Sequence, residues 1–167
     1  YDTRCVTQVS DPRPGIGARA YRDALALGML VARPGIGFPA QHPLLKDMVS
    51  DKCGAADMKD FVKMLHEKNI YVIGRITVFQ DPLYTKAHPE LAVKKSSNRD
   101  VVWKDGKGLA FIDVGAKSFW DYIVELSKES YALGFDEINY DYIRFPSDGN
   151  MKDIAFTHSD GNNKPES

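Results

Sequence analysis

The sequence is short of cysteine, of histidine and of any surplus of one charge: 167 residues hold two cysteines, four histidines and a net charge of −1. Cys5 and Cys53 are too few for a disulfide framework, and neither has a neighbour at the spacing of a metal or redox pair. They leave the compartment open. His66 has no second histidine three or four residues away, so it reads as a surface or packing residue. Lysine and arginine are scattered through the later chain, which gives no nucleic-acid footprint. No apolar run approaches the roughly 20 residues that span a bilayer, and no basic segment followed by an apolar core opens the sequence, so neither a membrane segment nor a signal peptide is expected within it. The pentapeptide Arg-Pro-Gly-Ile-Gly occurs at 13–17 and again at 33–37. Neither copy follows a clear strand or matches a phosphate loop, and no cofactor is expected.

What is present is an ordinary globular composition, 43% hydrophobic and 27% charged. One shift divides it. Residues 1–41 hold five arginines and no lysine, whereas the rest holds fourteen lysines and three arginines. This predicts an anomalous N-terminal segment over 1–41, unrelated or out of frame, with a possible helix at Ala18 to Ala32. A domain over 42–150 and a polar tail over 151–167 follow it. In the tail only Ile154, Ala155 and Phe156 are expected to pack.

Within the domain, Met58, Phe61, Val62 and Leu65 recur at helical spacing, with Asp57 and Asp60 at the start and Lys68 at the end, as the helix dipole favours. The run IYVIGRITVF at 70–79 is apolar enough for a buried parallel strand, interrupted by Arg75, whose guanidinium would need a carboxylate there. Residues 80–116 form a connection longer than the usual few residues, and such loops are disproportionately functional. Short helical pieces are expected at Leu83 to Ala87 and Glu90 to Lys94. Trp103, among Lys104, Asp105, Gly106 and Lys107, is expected to be exposed, either as a sugar-stacking platform or as a lid over the loop's own small core. A short strand is expected at 109–114, closed by Asp113, which belongs to a helix cap or to the site. Lys117 to Leu133 reads as a packing helix.

The chain is organised around FDEINYDYIRFPSDG at 135–149. Side chains alternate along a strand, so Glu137, Asn139 and Asp141 share one face and Ile138, Tyr140 and Tyr142 the other. Gly134 before the strand and Pro146 after it punctuate a helix, tight turn, strand, loop unit of a parallel sheet. In a barrel built from such units the site lies at the C-terminal strand ends, where Asp141 falls. The fold class expected is therefore α/β, a partial (β/α)8 TIM-barrel fragment with parallel strands at about 70–78 and 135–141. A full barrel takes roughly 250 residues.

The segments KNIYVIGRITVFQDPL, AHPELAV, VWKDGKGLAFIDV and FDEINYDYIRFPSDG, in that order from about Leu44 to Gly149, resemble the bacterial "putative glycoside hydrolase domain" family. Its members are TIM-barrel proteins similar to the α-amylase and α-galactosidase superfamily. The resemblance implies a carbohydrate substrate and a nucleophilic aspartate ending the fourth strand, which Asp141 matches. It also implies a sugar site lined by Arg75 and the Trp103 to Asp113 segment, and an acid on a later strand; Asn139 and Arg144, on and just beyond the strand that carries Asp141, are further candidate substrate contacts. Glycosidases set two carboxyl groups about 5–5.5 Å or roughly 6.5–9.5 Å apart, and Glu137, four residues back along the strand, lies about 13 Å from Asp141. Glu137 is not the partner; Asp113 could approach across the sheet and Asp148 could fold back, but the resemblance implies an acid on a later strand, so the parent protein is expected to be a glycosidase and this chain alone inactive. Two other readings compete. One is a carbohydrate-binding barrel without chemistry, resting on Trp103. The other is a metal-dependent hydrolase in which Asp141, Asp113 and Asp148 hold magnesium, calcium or manganese.

Overall fold

The computed structural model describes residues 35–50 and 56–159. The first Arg-Pro-Gly-Ile-Gly copy, the possible helix at 18–32, both cysteines and the end of the tail lie outside these residues. The chain divides into two compact units, 1–76 with 124–140 and 77–123 with 141–167. Among the described residues, five regular elements run in the order α1 (Met58–Glu67), β1 (Ile73–Thr77), α2 (Pro82–Ala87), α3 (Lys117–Ala132) and β2 (Glu137–Asp141), with short 3₁₀ turns at Lys46–Met48, Pro89–Leu91 and Met151–Asp153. This is a mixed α/β architecture. Among the described residues the sheet is the pair β1–β2. The Asp136 N–H bonds the Val72 carbonyl at one end and the Val78 N–H bonds the Asp141 carbonyl at the other. Partner numbers rise together, so the strands are parallel.

In the first unit, α1 buries Met58, Val62 and Leu65, the face that the helical spacing selects. The helix ends as Asn69 turns left-handed at φ 56°, a conformation asparagine tolerates. Asp136 then ties helix to sheet: its carboxylate accepts from the Val72 N–H at 2.7 Å and lies 2.8 Å from Nε2 of His66. Gly74 in β1 lets the facing side chains close in: a Cβ there would sit 3.1 Å from both Ile138 and Phe135, so those side chains would have to shift to admit one. Ile36, Phe38 and Ala40, on the N-terminal side of position 41, are buried, and Ile36 forms a parallel bridge with Val49.

Two apolar clusters hold the second unit. Tyr84 meets Phe119 edge-on at 4.8 Å and Tyr122 at 4.6 Å, joining α2 to the first turns of α3. Val93, Trp103 and Phe111 form the other cluster, covered by Ile154 and Phe156. The strand expected at 109–114 does not form. Ala110 bridges to Lys104, whereas Ile112 bridges to Ala92, so neighbouring residues pair with different segments and no continuous ladder can develop. Ala155, bridged to Lys94, brings the packed part of the tail onto the same framework.

Candidate functional site

β2 delivers Asp141, half-buried, to the C-terminal end of a parallel strand. Its backbone carbonyl accepts from the Val78 N–H at 2.8 Å, and one carboxylate oxygen, Oδ1, accepts from the Tyr142 N–H at 2.7 Å. Tyr142 itself is left-handed, with φ 55°. That conformation is unusual for a bulky residue and costs about 1–2 kcal/mol. The Arg144 guanidinium covers the Tyr142 ring at 5.3 Å from its centroid, close enough for cation–π attraction.

The loop beyond is anchored at its far end. Asp105, buried, accepts from the N–H groups of Lys107 and Leu109 through Oδ1 and from the Gln80 amide through Oδ2. Its turn lies against Gly149, where a Cβ would come 2.9 Å from the Asp105 Cα and 3.0 Å from the Trp103 ring. The Trp103 indole N–H donates to the Asn150 carbonyl at 3.0 Å. Two of the sequence segments that stand out, VWKDGKG and RFPSDG, are thus the two halves of one joint. Between its anchors the loop leaves Ile143, Arg144 and Phe145 exposed.

A second carboxyl group, Asp81, lies just past the end of β1. Burial raises its pKa, partly offset by the Tyr84 and Leu83 N–H bonds. Those bonds, at 2.9 and 3.0 Å, also cap α2. Burial, with Asp81 and Tyr84 nearby, likewise pushes the Tyr122 hydroxyl pKa upward.

The residues expected to line a sugar site are distributed differently from the expectation. Arg75 is exposed on β1, not buried, whereas its neighbours Gly74 and Ile76 are buried. Asn139 is exposed on β2. Trp103 is 1% exposed, so the expected exposure is corrected and the ring is the lid over the loop's own core. Asp113 is fully enclosed. Its carboxylate accepts from the N–H groups of Gly115 at 3.1 Å and His158 at 2.7 Å and from the Ser159 hydroxyl, strapping the chain's later segment to the α3 approach. Asp113 closes no regular strand and is committed to these donors. Among the described residues no three His, Cys, Asp or Glu side chains gather as a metal site. Sequence reasoning missed Tyr142, because a tyrosine carries no local signal for a left-handed backbone. It also missed Asp105, although the Asp-Gly-Lys-Gly turn that follows from it was readable.

The family described as "Putative glycosyl hydrolase domain" matches residues 32–167. The chain belongs to this family. A glycoside hydrolase-like role therefore holds at family level. Among solved structures, the chain is similar to a hypothetical protein from Ruminiclostridium thermocellum ATCC 27405, 34% identical with a TM-score of 0.65. The match covers 74% of this chain and 62% of that one, so this chain spans about three fifths of that protein's length. No curated protein matches the chain. Among the described residues no helix is long and apolar enough to cross a membrane.

Proposed function

We propose that this chain carries the nucleophile of a glycoside hydrolase acting on a poly- or oligosaccharide, and that the nucleophile is Asp141. The observation that carries this reading is the placement of Asp141: a half-buried carboxylate at the C-terminal end of a parallel strand, held by a bond from the next N–H, in a chain of the glycosyl hydrolase family. Barrels built from parallel strands present their chemistry at that end. Arg144, exposed in the loop that follows, is the proposed sugar contact beside it.

The partner carboxyl group is proposed to lie in the part of a (β/α)8 barrel that this chain does not span. Glu137 is about 13 Å along the strand, and the Asp113 carboxylate is taken by three donors. The chain by itself is then expected to be inactive. The test compares the complete protein with its Asp141→Asn variant on a panel of aryl glycosides and polysaccharides, reading released phenol and reducing ends. Loss of turnover on the order of 10³-fold or more is expected; a variant that hydrolyses at the original rate refutes the assignment.

A further inference from the structure

The turn immediately after Asp141 departs from strand geometry in a specific way. In an extended strand successive carbonyls point to opposite sides, so only every second one can reach a given neighbour. Here two consecutive carbonyls reach the same one: the Asp141 carbonyl accepts from the Val78 N–H at 2.8 Å, and the Tyr142 carbonyl accepts from the Phe79 N–H at 3.2 Å. The left-handed conformation of Tyr142 turns the second carbonyl, and the facing segment turns with it, since the donors Val78 and Phe79 are consecutive as well. Because the peptide is trans, the Tyr142 N–H points away from the strand that its preceding carbonyl faces. That N–H is met at 2.7 Å by Oδ1 of Asp141.

We propose that Tyr142 is a positioning residue: its left-handed turn fixes the peptide on which the Asp141 carboxylate rests and so sets the direction of attack. The inference rests on the reading of Asp141 as the reacting group. Strain held in a bulky residue beside a reacting carboxylate is where backbone outliers concentrate in functional sites.

Two variants separate the turn from the side chain. Valine is β-branched and excluded from the left-handed region, whereas asparagine enters it readily. In the ¹⁵N-labelled 167-residue chain, the amide at position 142 is expected to follow ionisation of the Asp141 carboxylate in the wild type and in Tyr142→Asn. It is expected to be insensitive in Tyr142→Val and in Asp141→Asn. In the complete protein, assayed on the aryl glycoside it turns over fastest, Tyr142→Val is expected to lower kcat at least tenfold with KM within twofold. Tyr142→Asn is expected to stay within about threefold of the wild type.

The proposal is overturned if Tyr142→Val keeps both the amide response and kcat, or if Tyr142→Asn loses both. Should Tyr142→Val fail to fold, the asparagine arm alone decides. If Asp141→Asn remains active while the amide behaves as expected, the nucleophile assignment is what falls, and the catalytic half of this inference falls with it.

Discussion

Trp103→Ala separates a packed indole from a sugar platform, and the structure sets the size of the effect. The ring is 1% exposed, packs on Val93 and Phe111 beneath Ile154 and Phe156, and donates its N–H to the Asn150 carbonyl at 3.0 Å. Truncating a buried tryptophan to alanine costs about 3–5 kcal/mol. The lost hydrogen bond adds about 0.5–1.5 kcal/mol, towards the low end because Asn150 is exposed and water can replace the donor. A total of about 4 kcal/mol, at roughly 2–4 °C per kcal/mol for a chain of this size, lowers the melting temperature by about 8–16 °C. Trp103→Phe keeps most of the apolar contact and is expected to lose about 1–2 kcal/mol. Thermal unfolding followed by circular dichroism reads both. The packing argument is refuted if Trp103→Ala melts within about 2 °C of the wild type while binding of a soluble polysaccharide is selectively lost.

Gly149→Ala places a methyl group 2.9 Å from the Asp105 Cα at a backbone φ of 95°, and is expected to cost about 1–3 kcal/mol; an unchanged urea midpoint would show that the joint between the two loops is loose. Asp136 contributes a pH-dependent part of stability. Its partial burial opposes ionisation, but the Val72 N–H and the His66 ring outweigh this and hold its pKa below the usual carboxylate value. A carboxylate depressed in the folded state stabilises above its unfolded pKa, about 3.9, and that contribution disappears as pH falls through the lower folded value. The stability difference between wild type and Asp136→Asn in urea titrations should therefore be larger at pH 6 than at pH 2; a difference that does not change with pH would contradict the assignment.

The regular elements were largely legible because their signals are local. The stripe Met58, Val62 and Leu65, the apolar run around Ile76, and the short helical piece at Leu83 to Ala87 each read out within a few residues. What was not legible depends on distant segments. Trp103 was expected to be exposed because its neighbours are turn residues, yet its cover comes from Ile154 and Phe156, and nothing near position 103 encodes them. Arg75 sits in a run apolar enough for burial on both faces, yet it is exposed. Asp113 carries the composition of a cap or a catalytic carboxylate, and only the return of His158 and Ser159 shows it to be a strap. At Asp141 the strand position was legible from alternation and from Gly134 and Pro146, whereas the left-handed turn that holds it was not.

The Trp103 cluster also fixes an order of events during synthesis. The indole is made first, and its hydrogen-bond partner Asn150 is 47 residues further along the chain. At about 5–20 residues per second the ring emerges roughly 2–9 seconds ahead of the segment that will bond it. Through that interval the residues that cover the indole in the folded chain, Ile154 and Phe156, have yet to be made. The second unit therefore cannot complete this core until residues 150–156 have left the ribosome.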